Sequence, residues 1–241
     1  MMGKTTAFGL ALMLFLTGCG GLGPVGTPPQ REVAVTSDAV VVTGPPGFCV
    51  DPGSTRDNGA TAFVLLGNCA VISNRRSAGQ PAVAAVLTAS ISDADPGQNL
   101  RESIPQLDAF FASEEGRQLL SRAGEAETVE ILDSFHQGDV YFLRARDSSA
   151  SEIQNVSADY WRSYLDIGDR IATLTVLGRE TAPLDSETGL ATLRSFTEAV
   201  IAANPPGGST VAPAVAPAPV ATPAPQGTLW NVGLFRRIMG R

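Results

Sequence analysis

Apolar positions along the chain change period several times, and each change marks an element. Ala39 to Thr43 is a β-branched run that stops at Gly44-Pro45-Pro46-Gly47, and Phe48 to Asp51 continues extended until Pro52-Gly53. Thr61 to Ile72 is apolar and rich in strand formers, with Gly67-Asn68 read as a bulge, and Val83 to Ile91 is a second such run. Short apolar runs bounded by turn residues predict strands, and these two are expected as antiparallel neighbours across Asn74 to Pro81. The period then turns helical. Ser103 is the expected cap of a helix with Pro105 in its first turn, placing Leu107, Phe110 and Phe111 on one face. Ser113-Glu114-Glu115 opens a short helix through Leu119-Leu120, which Gly124 stops. Strands resume at Thr128–Leu132 and Val140–Arg146, joined near His136-Gln137-Gly138-Asp139. A further hairpin pairs Ala158–Leu165 with Arg170–Leu177 around Asp166-Ile167-Gly168-Asp169. Leu190, Leu193, Thr197, Val200 and Ile201 then recur at helical spacing until Asn204-Pro205. This grouping predicts an α+β domain over residues 31–204, a mainly antiparallel sheet flanked by helices.

The flanks follow different rules. Lys4, an apolar run from Ala7 to Leu16 and small residues after it form the pattern of a secretory signal. The run is too short to span a bilayer, which needs ~20 residues. Leu16-Thr17-Gly18-Cys19 resembles the lipobox of bacterial lipoproteins, Leu-[Ser/Thr/Ala]-[Gly/Ala]-Cys, at all four positions. The resemblance implies that residues 1–18 are removed and that Cys19 becomes the lipidated first residue. Its acyl chains, at about 0.8 kcal/mol per inserted CH₂, would tether the chain to a lipid bilayer. Gly20 in place of Asp after the cysteine implies the periplasmic face of the outer membrane rather than the inner membrane. An ordinary signal peptide with an incidental cysteine is the alternative. Residues 19–30, with GGLGPVGTPPQ after the cysteine, are read as a disordered, flexible stalk.

Export changes the meaning of the other two cysteines. In an oxidising compartment Cys49 and Cys69 form an even pair, and a disulfide is the default reading. The rival is a Cys-based active site, which requires a base or cation beside a thiolate. His136 is the single imidazole in the chain, and no spacing places it beside either cysteine.

Composition narrows the chemistry further. The 241 residues carry a formal net charge of -7, distributed unevenly. Lys4 is the one lysine; residues 31–204 hold 13 arginines against all 24 carboxylates, and the last segment holds three arginines without a carboxylate. An acidic domain excludes nucleic acid as its partner, because phosphate binding requires a dense basic face. HxH, HExxH, CxxC, Gly-x-Ser-x-Gly, Walker A and Rossmann glycine patterns do not occur. Asp93-x-Asp95 before Pro96-Gly97 has the start of a calcium loop without its later ligands. No metal, cofactor or catalytic residue is therefore selected. Paired carboxylates are abundant, with Glu125, Glu127 and Glu130 close in sequence, but nothing chooses a pair for acid–base work.

Two constellations remain. Alternation along Val140–Asp147 places Phe142, Arg144 and Arg146 on one face, and Tyr160, Arg162 and Tyr164 share a face of the next run. If neighbouring strands align these sets, arginines interleave with tyrosines over a surface suited to an anion, a carbohydrate or an acidic protein. Cross-strand pairing with Asp147, Asp166 or Glu130 is the alternative. At the other end, residues 205–227 form a Pro/Ala-rich spacer and 228–241 a short basic and aromatic tail. There Trp230, Leu234, Phe235 and Ile238 line one side of a short amphipathic segment, with Arg236 and Arg237 at its basic end. Such a segment suits docking on an envelope protein or a membrane surface.

The order of three strands, helices, four strands and a closing helix, with the extended GPPGFCVDP segment, resembles the Mog1/PsbP-like fold. The resemblance covers residues 31–204 and carries no specific motif. It implies an accessory or interaction module, as does a likeness to uncharacterised proteobacterial lipoproteins. The expected function is a membrane-anchored periplasmic lipoprotein that binds rather than catalyses. An envelope hydrolase on an unrecognised carboxylate pair, and a passive bridge between envelope layers, are the alternatives.

Overall fold

Alternating apolar positions pair into long strands, and the helices close both faces of the resulting sheet. The computed structural model describes residues 28–97, 99–151 and 153–206. The chain runs through β1 (Glu32–Val35), β2 (Val40–Thr43), β3 (Phe48–Val50), β4 (Arg56–Asp57) and β5 (Ala62–Asn68), then a single turn of helix, α1 (Cys69–Ile72). β6 (Ala85–Ile91), α2 (Leu100–Ala112) and α3 (Glu114–Leu120) follow. Four long strands, β7 (Val129–Gln137), β8 (Val140–Asp147), β9 (Val156–Ile167) and β10 (Arg170–Arg179), lead to α4 (Ser186–Ala203). The main sheet has the order β3-β5-β6-β10-β9-β8-β7, with β4 beside β5, and every pairing in it is antiparallel. The architecture is α+β, as the pattern of apolar runs predicted.

Two cores lie on opposite faces of this sheet. On one, Leu193, Phe196 and Val200 of α4 and Val35, Val40 and Val42 of the β1–β2 hairpin pack on Trp161, Leu165, Leu174 and Val176. On the other, Leu100, Ile104, Leu107 and Phe111 of α2 and Leu120 of α3 pack on Tyr141, Leu143, Tyr160, Tyr164 and Ile171. The α4 side is sealed by Asn204. Its side chain accepts from Val41 N at 2.9 Å and donates to Val41 O at 2.8 Å, tying the helix end to β2.

Several predicted boundaries move, each for a nameable reason. Thr61–Ile72 is not one strand. Asn68 caps Ala70 N at 2.9 Å and turns Cys69–Ile72 into α1. The cap of α2 is Asn99 rather than Ser103, and Pro105 lies inside the helix. The Asp166 carboxylate, at the end of β9, also accepts from Leu100 N at 3.0 Å and Arg101 N at 3.3 Å. A carboxylate at a helix N-terminus satisfies orphan amides and complements the dipole, so tertiary structure starts the helix one turn early. Ser113 caps α3 as expected. In α4 the buried stripe includes Phe196, while Ile201 is 42% exposed.

Disulfide pairing is present: Cys49 and Cys69 are bonded, with Cα atoms 4.8 Å apart. The bond joins β3 to the start of α1 and closes a loop of 20 residues in sequence. A constraint of that length stabilises by about 3 kcal/mol in the chain-entropy account. Among the described residues no helix is long and apolar enough to cross a membrane.

Candidate functional site

Register decides where the predicted arginines and tyrosines go. β8 and β9 pair with Tyr141 opposite Tyr164, Leu143 opposite Arg162 and Arg144 opposite Trp161. Residues directly opposite share a face, so Tyr160, Arg162 and Tyr164 lie with Tyr141 and Leu143 on the α2 side. Arg144 and Arg146 lie on the α4 side. The expected interleaving of Arg144 and Arg146 with Tyr160, Arg162 and Tyr164 is thus corrected: the pairing is one residue out of phase with it.

On the α4 side the two arginines are engaged by carboxylates. Arg144 Nη2 lies 3.2 Å from Asp159 Oδ2, and Arg146 meets Asp159 Oδ1 at 2.7 Å and Glu130 Oε2 at 3.2 Å. Glu130 therefore fills the pairing role considered for it. Nearby, Phe135 stacks on Phe142 and meets Trp161 edge-on, with the Arg194 guanidinium 5.7 Å from its ring centre. Trp161 packs under Gly189, where an added Cβ would fall 2.7 Å from Cδ1. Its buried Nε1 has no hydrogen-bond partner. Arg144 and Arg146 are thus charge-paired within a packed face.

The α2 side gathers two polar clusters. In the first, Asp108 of α2 accepts at Oδ1 from Ser134 Oγ at 2.7 Å and from the Tyr141 hydroxyl at 2.6 Å. Those two hydrogen bonds, Tyr141 first, hold the Asp108 carboxyl below its ordinary value, and His136 adds a smaller attraction. Burial pushes the Tyr141 phenol well up. A serine, a histidine and an aspartate thus come near one another, but Ser134 donates straight to the carboxylate. An acidified carboxylate is a poor acceptor for a nucleophile's proton, and among the described residues no hydrogen bond joins Ser134 to His136.

The second cluster is cationic. Tyr160 and Tyr164 are core residues, with Phe111 stacked 5.3 Å from the Tyr164 ring. Arg162 and Arg122 approach the Tyr160 ring together, their guanidinium carbons 4.8 and 5.9 Å from its centre. Arg162 Nε donates to Thr175 Oγ1 at 3.0 Å, and its guanidinium acts electrostatically on the Tyr164 phenol beside it. Arg122 Nη2 donates to Ser157 O at 3.2 Å, and its Nε lies 3.9 Å from Asp147 Oδ2.

Asp147 is the carboxylate of this group, and it is fully enclosed. Its Oδ2 accepts from Arg122 N at 2.7 Å, and its Oδ1 accepts from Ser149 N at 2.9 Å and Ser149 Oγ at 2.7 Å. Burial works to raise its pKa, but these hydrogen bonds outweigh burial and leave it below the ordinary carboxylate value. Burial pushes the Tyr160 phenol up to about 12, so it is neutral at physiological pH. Burial and the nearby Arg162 depress Arg122, while Asp147 opposes them.

Sequence reasoning selected Arg162, Tyr160 and Tyr164 but missed Arg122 and Thr175. Asp147 entered only as a surface pairing partner. Arg122 follows the end of α3, and no spacing rule links it to a residue on β9. Cys19 and the tail residues Trp230, Leu234, Phe235, Arg236, Arg237 and Ile238 lie outside the described residues. Among the described residues no three His, Cys, Asp or Glu side chains gather as a metal would require. The chain matches no protein-family model and no curated protein.

Proposed function

We propose that the protein is a lipid-anchored envelope lipoprotein whose folded domain is a binding module rather than an enzyme. The observation that carries this reading is Leu16-Thr17-Gly18-Cys19, placed directly after a charged start and a short apolar run. The Cys49–Cys69 bond supports it, since such bonds persist in oxidising compartments. Cys19 holds the lipid, the stalk sets the domain off the outer membrane on its periplasmic side, and the spacer carries the basic aromatic tail to a second envelope component. The binding role is supported by the α2 side, where polar groups are arranged to hold a cation in place. Cell fractionation with lipid labelling tests the anchor: Cys19→Ala should lose label and leave the membrane fraction. Label or membrane retention in that variant would refute the anchor. A version ending at Asn204 tests the tail; partner recovery equal to that of the full chain would remove the docking role.

A further inference from the structure

The Arg122–Tyr160–Arg162 cluster has more positive charge than its protein surroundings answer. Two guanidinium groups, permanently protonated, share one tyrosine ring. Among the described residues Asp147 is the one carboxylate in ion-pair reach of either, and it faces Arg122. Both of its oxygens already accept backbone or hydroxyl hydrogen bonds. Among the described residues no carboxylate lies within ion-pair distance of Arg162. The two phenols beside it do not supply a negative charge at neutral pH. A half-buried cation without a counter-charge is costly, unless something outside the domain completes it.

The surroundings also hold Arg162 in place. Thr175 fixes Nε, and the Tyr160 ring supports the guanidinium from 4.8 Å. Thr88 stands directly across from Thr175 on the same face, and Leu177 stands across from Tyr160 with the partly exposed Val86 beyond it. A guanidinium so oriented offers parallel donors that match the two oxygens of a carboxylate or a phosphate.

We propose that Arg162, with Arg122 beside it, forms a binding site for a small ligand carrying a carboxylate or phosphate group. The proposal goes beyond the anchored-module reading and does not depend on where the protein resides. It is tested on the full chain in detergent by labelling arginines with phenylglyoxal and locating the adducts by mass spectrometry. Sodium phosphate and sodium succinate are added in separate arms, against sodium chloride at matched ionic strength. Protection of Arg162 by at least fivefold in one of the anion arms is expected, with exposed Arg146 unaffected; the protecting arm identifies the oxyanion. Thermal unfolding supplies the second readout: the same anion should raise the Tm of wild type and of Arg146→Gln, and leave Arg162→Gln unmoved. Equal Arg162 labelling in all three salts overturns the proposal, and this result needs no variant to fold. An equal Tm rise in wild type and Arg162→Gln overturns it too.

Discussion

Replacing Asp147 by Asn removes one charge and reverses one hydrogen-bonding group, and the structure says what each change costs. If the Asn oxygen stays where Oδ1 accepts from Ser149 N and Oγ, its NH₂ faces the Arg122 N–H that Oδ2 now accepts at 2.7 Å. If the amide flips, two donors of Ser149 face the NH₂ instead. The first arrangement is the less costly. It loses one charge-assisted hydrogen bond, worth about 1.5–3 kcal/mol, and leaves a buried N–H unsatisfied. It also strips Arg122, whose side chain is 9% exposed, of its nearest carboxylate. Removing one partner from a buried pair costs about 3–5 kcal/mol, and Arg122 keeps Ser157 O as an acceptor, so about 3 kcal/mol is the expected loss. For a domain of this size that lowers Tm by roughly 6–12 °C. The pH dependence gives an independent sign. The folded pKa of Asp147 lies below its unfolded value of about 3.9, so its contribution is complete above that value and is lost as pH falls through the folded pKa. Calorimetry of wild type and Asp147→Asn from pH 7 to pH 3 should show the two Tm values converging below about pH 4. A loss under ~1 kcal/mol at pH 7, or a Tm difference that grows on acidification, would refute the account.

Three further substitutions probe the backbone. Gly116→Ala places a Cβ 2.0 Å from Phe110 O and 2.6 Å from Phe111 Cα, where α3 crosses the end of α2. Because backbone atoms cannot rotate away, a net loss of about 2 kcal/mol is expected in urea unfolding, overpacking outweighing the ~1 kcal/mol gained in helix propensity. Ser37→Gly should act in the opposite direction. Thr36, Ser37 and Asp38 all sit at φ between 56° and 63°, and a glycine relieves about 1 kcal/mol of left-handed strain at the cost of one exposed hydrogen bond to Gly59 O. A fall in its urea midpoint would count against strain in this turn. Asn204→Ala exposes Val41 N and O, which the side chain now pairs, so about 2 kcal/mol is expected to be lost. Hydrogen exchange at the Val41 amide should quicken in this variant while that of Leu174 at the sheet centre, reporting local rather than global opening, changes less.

What was legible in the sequence follows from which forces act locally. Strand runs such as Val83–Ile91 and the hairpin around Gly168 declare themselves, because alternation and a positive-φ turn are local properties. Ser113 was readable as a cap for the same reason. The start of α2 was not, because Asp166, which binds its first amides, lies more than sixty residues away in the chain. α1 was hidden inside an apolar run, where four residues cannot distinguish helix from strand by period. The arginine–tyrosine constellation failed on register alone. Each strand's alternation was read correctly, but a shift of one position between β8 and β9 decides whether Arg144 meets Tyr160 or Trp161. The surviving half, Tyr160–Arg162–Tyr164, gained Arg122 from a turn that no periodicity connects to it.

The two faces of the sheet now separate balanced from unbalanced charge. On the α4 side Asp159 and Glu130 answer Arg144 and Arg146, and Ser163 pairs with Thr197 under the helix at 2.9 Å. On the α2 side one enclosed carboxylate, Asp147, stands beside two guanidinium groups, so the cluster keeps a net positive charge. The wider field has the opposite sign, since 13 arginines face 24 carboxylates across residues 31–204. At physiological salt that field extends about 8 Å, far enough to repel a polyanion lying across the surface. It acts much less on a single group seated against a half-buried cation, where screening is weak and contact is direct. The charge distribution thus disfavours nucleic acid or an anionic bilayer as the partner of the folded domain. It leaves the small oxyanion proposed for Arg162, whose guanidinium Thr175 orients, as the ligand that suits this face.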